Sequence, residues 1–317
     1  MALRALKGEL DTRLSAAELP GPLYEQASAV LTKVLAHYER FEAWPVPELP
    51  IRTARALGAP ESLGVGLAAA SVLFYAASDI IDDAQDDELA THPTWPAWGW
   101  PHAVNAGNLL LFLSGEHLAG LEAPDAAKAA WAEAFARAGR QLARGQFLDF
   151  LATPDAPWGE APIERVLADK AGASFACLAG LAPAWAGRAD RAAWEAFGHT
   201  LGRMYQLASD VRPYTAFGPS RDLAIGKLTL PLAIAKEADP ALALAWVEGR
   251  ALRHLEQEGV KARVVATGAV TYACMRVEVL KKEAHDRLMA LDCPAARELL
   301  APLVDLVALD RPLGTGA

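Results

Sequence analysis

Apolar residues along this chain come in segments rich in Ala and Leu, broken by Arg and Glu, with few β-branched runs between them. That pattern predicts helices rather than strands. Helices are expected near 22–41, 61–86, 102–120, 125–152, 162–181, 190–212, 222–236, 240–258, 262–290 and 294–309, joined by short Pro or Gly turns. Several of them are apolar on nearly every face, which marks central helices of a large bundle. The clearest break is Thr91-His-Pro-Thr-Trp-Pro-Ala-Trp-Gly-Trp-Pro, which carries Trp95, Trp98 and Trp100. No repeat of the kind that builds solenoids and no low-complexity linker interrupts the chain, so 1–317 reads as a single all-α domain.

One apolar stretch ends in a way a core helix does not. After Ser71-Val-Leu-Phe-Tyr-Ala-Ala come Asp79, Asp82, Asp83, Asp86 and Asp87. On a helix the pairs 79/83, 82/86 and 83/87 stand one turn apart and repel by about a few tenths of a kcal/mol each. A cation between the carboxylates removes that repulsion. Oxygen ligands without a nearby His or Cys pair suit a hard ion such as Mg²⁺, which shares its shell with substrate phosphates. The alternative is an acidic helix end facing solvent. Downstream, Arg203, Gln206 and Asp210 fall at i, i+3 and i+7 on one helical face, and Pro213 should end or kink that helix. Between the two regions lie Gly145-Gln-Phe-Leu-Asp and Lys170, the lone cation of its neighbourhood.

Composition narrows the class of function. The net charge of −9 leaves no Lys/Arg cluster to hold a nucleic-acid backbone, so no nucleic-acid partner is expected. Cys177, Cys274 and Cys293 are odd in number and widely spaced, which suits a reducing compartment. The first residues lack the apolar core of a signal peptide, and no run reaches the length of a membrane span without polar interruption. A cytoplasmic location without a transmembrane segment is therefore expected.

The order of the polar motifs says more than any one of them. Asp-Asp-x-x-Asp (Asp82, Asp83, Asp86) precedes Ala103-Val-Asn-Ala-Gly-Asn-Leu-Leu, then Gly-Gln-x-x-Asp (Gly145, Gln146, Asp149), then Lys170, Gln-x-x-x-Asp (Gln206, Asp210) and Asp222-Leu-x-x-Gly-Lys-x-Thr-Leu-Pro. As an ordered set, over about residues 50–310, this resembles the polyprenyl synthetase family of isoprenyl diphosphate synthases. The resemblance implies a large isoprenoid-synthase-type helical bundle around a central cavity, working as a homodimer. Asp82, Asp86, Asp83 and Asp210 would hold Mg²⁺, and Lys170 and Lys227 would grip an allylic prenyl diphosphate. Gln206 would stand with Asp210 on the opposite rim.

Departures from the family pattern redirect the expected activity. Chain-elongating members carry Gly-Lys-x-x-Arg before the first acidic helix and an Arg-Arg pair just after it, for isopentenyl diphosphate. Here those stretches read Glu42-Ala-Trp-Pro-Val-Pro-Glu-Leu-Pro and Glu88-Leu-Ala-Thr-His-Pro-Thr, and no Lys or Arg occurs between Arg55 and Lys128. A second diphosphate is hard to hold without cations. The second acidic motif is reduced to Ser209-Asp-Val-Arg-Pro, where Ser209 keeps a neutral oxygen and Arg212 adds a cation for pyrophosphate, or else a solvated helix-end charge. The expectation is a terpene synthase-like lyase that ionises a fifteen- or twenty-carbon allylic diphosphate and releases pyrophosphate without elongation. Small Ala77 and Ser78, one turn before Asp82, would leave room for such a chain, whereas Phe74 and Tyr75 would close it. One alternative is a prenyltransferase anchored through Arg52, His92 or His102. A second is a non-catalytic subunit of a prenyltransferase.

Overall fold

Helix punctuation by Pro and Gly, rather than any strand-forming run, divides the chain. The computed structural model describes residues 2–40, 44–86, 89, 99–215, 220–249 and 252–307, and among these no strand occurs. The fold is the expected all-α bundle. Its helices are α1 Ala2–Ala16, α2 Gly21–Arg40, α3 Pro45–Ala56, α4 Glu61–Gln85, α5 Gly99–Gly120, α6 Asp125–Phe150 and α7 Glu160–Leu167. A π turn, Ala168–Gly172, leads into α8 Ala173–Trp185. Then come α9 Arg191–Thr215, α10 Arg221–Ile225, α11 Leu230–Ala238, a 3₁₀ segment Pro240–Gly249, α12 His254–Ala266, α13 Ala269–Ala290 and α14 Pro294–Asp305.

Helix α4 is the axis of the bundle. Leu67, Ala68, Ala69, Ala70, Val72 and Leu73 are all fully buried, because α1, α2, α3, α5 and α8 pack around it. It is long and apolar enough to cross a membrane, but 78% of its apolar window lies inside the protein. Phe74 packs edge-on against Phe135, with ring centroids 4.8 Å apart, and Tyr75 packs likewise against Trp44 at 5.1 Å. A second tight seam joins α9 to the π turn and α8. A Cβ on Gly202 would lie 2.2 Å from the Ala171 carbonyl oxygen, and one on Gly198 2.3 Å from that of Phe175. Only glycine permits this approach.

Several boundaries differ from the expected segments. Helices α1 and α3 lie outside all of them. Helix α3 forms despite its prolines because Pro45 and Pro47 occupy the first turn, where backbone N–H groups have no helical partner. Burial of Val46, Leu49, Thr53 and Ala54 then carries the helix through Pro50. The segment expected as one helix over 262–290 breaks at Gly268, in the left-handed region at φ +80°. The segment over 240–258 divides into the 3₁₀ segment and the start of α12. The segment over 222–236 breaks at Gly226, φ +75°, and Lys227 follows directly. Trp95, Trp98 and His92 lie outside the described residues, as does Asp87, while Trp100 is exposed in the first turn of α5.

Candidate active site

Helical periodicity sorts the α4 aspartates onto two sides. Asp79 and Asp83 both accept from Lys33 Nζ of α2, at 2.9 and 2.5 Å. Asp82 and Asp86 lie one turn apart on the other side and meet lysines from far along the chain. Lys170 Nζ reaches Asp82 at 3.1 Å, Gln146 Oε1 at 2.5 Å and Asp149 at 2.8 Å. Lys227 Nζ reaches Asp86 at 3.2 Å and Asp149 at 2.9 Å, and Gln146 Nε2 donates to Asp86 at 3.3 Å. Lys170, Asp149, Lys227, Asp86 and Gln146 thus form a closed ring of hydrogen bonds, with Asp82 attached at Lys170.

Local structure aims each lysine. Lys170 sits in the π turn. Lys227 follows Gly226, where a Cβ would lie 2.4 Å from Pro154 and 2.7 Å from the Trp246 ring. The next residue is tied down as well, since Leu228 N donates to Ala152 O at 2.8 Å. On α9, Gln206 Nε2 donates to Asp210 at 2.9 Å.

Electrostatics bind these groups into one cluster. Burial works to raise the pKa of Asp149, but the Lys170 and Lys227 ammoniums outweigh it and hold the carboxyl below its usual range. Burial raises Asp82 despite Lys170. Burial also disfavours charge on Lys170 and Lys227, yet the surrounding carboxylates raise both. Among the described residues no ammonium is in hydrogen-bond contact with Asp210, and burial pushes it up to about 7 against the Gln206 hydrogen bond. Asp222, raised by burial, feels Lys227, Asp149 and Asp86. Five carboxylates (Asp82, Asp86, Asp149, Asp210, Asp222) therefore share two ammonium groups, an excess of three negative charges when all are ionised.

That excess, on oxygen donors alone, fits a hard divalent cation. Among the described residues no three acidic, His or Cys side chains already converge as a metal cage; the two ammonium groups stand between the carboxylates. The geometry brings Asp82, Asp86, Lys170 and Lys227 together and leaves Asp83 on the Lys33 side. Ser209 is exposed, one helical step away from buried Asp210. Arg212 is half-buried, no carboxylate faces its guanidinium among the described residues, and burial lowers its pKa. Phe147, beside Gln146 on α6, is 61% exposed. Its neighbour Gln146 takes the inward direction, and one residue along a helix turns the side chain away.

Four contributors were absent from the expected site: Lys33, Gln146, Asp149 and Asp222. Asp149 had a visible signal, lying three residues after Gln146 on the same helical face. Lys33 had none, since tertiary packing alone brings it to Asp79 and Asp83. A cleft of about 290 Å³ between α6, α8 and α9, lined by Arg137, Gln141, Cys177, Glu195 and His199, contains none of these residues.

The sequence profile of the polyprenyl synthetase family matches residues 47–266. The chain belongs to the polyprenyl synthetase family. The matched span holds every member of the ring, and Lys33 lies before it. By family, the protein is an isoprenoid enzyme of the isoprenyl diphosphate synthase kind. No curated protein sequence matches the chain. Solved structures do share its fold. Geranylgeranyl pyrophosphate synthetase from Pyrococcus horikoshii superposes with a TM-score of 0.82 at 22% identity, over 98% of this chain and 95% of that one. Polyprenyl synthase from Caulobacter crescentus, complexed with calcium and isoprenyl diphosphate, gives 0.80 at 22% identity, over 97% and 95%. Decaprenyl diphosphate synthase from Rhodobacter capsulatus gives 0.79 at 23% identity, over 96% and 94%.

Within this polyprenyl synthetase fold, the departures noted in the sequence take structural form. In the stretch set against the basic motif of elongating members in the sequence, Trp44, Pro45, Val46 and Pro47 are buried at the start of α3. Arg52 turns away to Glu48 at 2.7 Å and to the Leu299 carbonyl of α14 at 3.0 Å. His102 is exposed near the start of α5.

Proposed function

We propose that this protein ionises a single allylic prenyl diphosphate of fifteen or twenty carbons, with Mg²⁺, and releases pyrophosphate without adding an isopentenyl unit. The observation that carries this reading is the start of α3, where Trp44, Pro45, Val46 and Pro47 are buried in the stretch set against the basic motif and Arg52 is engaged elsewhere. An anionic second substrate has no cation to meet there among the described residues.

Breaking an allylic carbon–oxygen bond leaves a delocalised carbocation and a pyrophosphate anion, and loss of a proton from the cation, with or without cyclisation, completes the reaction as a hydrocarbon. Lys170 and Lys227 supply fixed positive charge where the anion develops, exchanging carboxylate partners for phosphate oxygens. Asp149 keeps both amines oriented through that exchange, since it contacts each of them. Arg212, half-buried and facing no carboxylate among the described residues, adds a bidentate donor. Asp82, Asp86 and Asp210 would hold Mg²⁺, with Asp83 an outer contributor. The metal, when bound, supplies further charge stabilisation to the leaving pyrophosphate. Apolar side chains around α4 keep water from the cation. The protein would work as a homodimer through the exposed apolar residues Leu111 and Phe112 of α5 and Phe147 and Phe150 of α6.

The transferase reading keeps one support, since the solved relatives are described as synthases. Incubation with geranyl, farnesyl and geranylgeranyl diphosphate, with and without Mg²⁺ and isopentenyl diphosphate, separates the two. Mg²⁺-dependent pyrophosphate release from one allylic substrate alone, abolished by Asp82→Ala, is the expected result. Release only when isopentenyl diphosphate is present would overturn it.

A further inference from the structure

Lys170 reaches three partners at once, and the local backbone explains how. It lies in the π turn Ala168–Gly172, where one full turn takes an extra residue, a feature frequent at functional sites. Asp169 and Lys170 straddle α6 at Gly145. A Cβ on Gly145 would lie 2.8 Å from Lys170 Cγ and 3.0 Å from Asp169 Cβ, so the glycine sits in the notch between the two side chains. On one side Lys170 engages Gln146 and Asp149. On the other, the Asp169 carboxylate accepts two hydrogen bonds from Arg144, Nε at 2.6 Å and a terminal nitrogen at 2.5 Å. Arg165 Nε, one turn earlier on the same helix, adds a third at 2.9 Å. The Asp169 side chain is only 4% exposed, whereas Arg144 is 42% and Arg165 55% exposed. Ser174 Oγ donates to the Lys170 carbonyl at 3.2 Å, engaging a backbone oxygen of the widened turn.

We propose that Asp169, gripped by Arg144 across the α6 seam, is a positioning residue that holds the π turn so that the Lys170 amine stays at Asp82, Gln146 and Asp149. The fork of Arg144 is geometrically specific in a way a single ammonium is not. It fixes both the distance and the rotation of the turn relative to α6. Arg165 neutralises the same carboxylate but lies within the α7 to π-turn segment, so it does not tie that segment to α6. The kinetic consequence rests on the proposed diphosphate ionisation; the positional consequence does not.

The test uses the whole protein labelled with ¹³C,¹⁵N-lysine, which leaves all three ammonium protons in place, the Lys170 side-chain resonance being assigned by its loss in Lys170→Arg. In Arg144→Met the Lys170 signal should move toward the position of solvent-exposed lysines, and in Arg144→Lys only part of the way. It should stay in place in Arg165→Met. In parallel, kcat for pyrophosphate release should fall about a hundredfold in Arg144→Met with KM changed far less, the penalty of a misplaced catalytic group. Asp169→Asn, which preserves side-chain size, gives the same readout should Arg144→Met fail to fold. A Lys170 resonance unmoved in Arg144→Met or Asp169→Asn would overturn the proposal, as would an equal displacement in Arg165→Met. A wild-type protein that turns over no allylic diphosphate would sink the proposed function while leaving the resonance test decisive for the clamp.

Discussion

Replacing Asp210 by Asn should stabilise the metal-free protein at neutral and alkaline pH, although it removes a residue of the candidate site. Asp210 is buried, and its pKa is pushed up to about 7 chiefly by burial, against an ordinary value of 3.8. Between those values the folded protein holds a proton that the unfolded chain has released. Stability therefore falls as pH rises from about 4 to 7 and stays lowered above that. The distance between the two values corresponds to at most about 4 kcal/mol. An amide in place of the carboxyl carries no charge and keeps an oxygen to accept from Gln206 Nε2. Urea unfolding of both proteins without metal should give similar midpoints near about pH 4.5 and a gap favouring the Asp210→Asn variant that opens as the pH reaches about 8. Adding Mg²⁺ and pyrophosphate should narrow that gap. Ligand at about a hundred times its dissociation constant stabilises the wild type by about 2.7 kcal/mol, and the variant has lost a ligand for it. A gap independent of pH, or equal stabilisation of both proteins by Mg²⁺ and pyrophosphate, would refute the reasoning.

Lys227→Met removes one of the two ammonium groups that face the carboxylates of the site and should destabilise by on the order of 3 kcal/mol. Because burial then raises Asp149 against Lys170 alone, calorimetry should find the loss smaller at about pH 5 than at about pH 8. Arg52→Ala breaks the hydrogen bond to the Leu299 carbonyl. It should lower stability by roughly 1–3 kcal/mol while leaving KM for every diphosphate unchanged; a raised KM for isopentenyl diphosphate would instead revive the transferase. Gly202→Ala would bring a Cβ to within 2.2 Å of the Ala171 carbonyl oxygen. It should cost on the order of 1–3 kcal/mol, read as a lower urea midpoint, and an unchanged midpoint would show that the seam gives way without cost.

The sequence by itself determined the class of fold and most of the charged inventory. Helical content follows from Ala- and Leu-rich segments, because backbone hydrogen bonds close locally and the residue choice registers directly as propensity. The pairing of Asp82 with Asp86 was likewise legible, since positions one turn apart share a helix face. Helix α3 was not, because prolines that look like breakers sit where a first turn tolerates them, and burial decides the rest.

Tertiary structure alone decided which charges meet. Lys33 lies 46 residues from Asp79, and no local pattern announces that it takes Asp79 and Asp83 to one side and leaves Asp82 and Asp86 on the other. The aim of Lys170 depends on a π turn lodged against Gly145, and that of Lys227 on a left-handed Gly226 packed under Trp246. Propensity is summed along the chain, whereas an ion pair depends on a few ångströms between segments that only packing brings together.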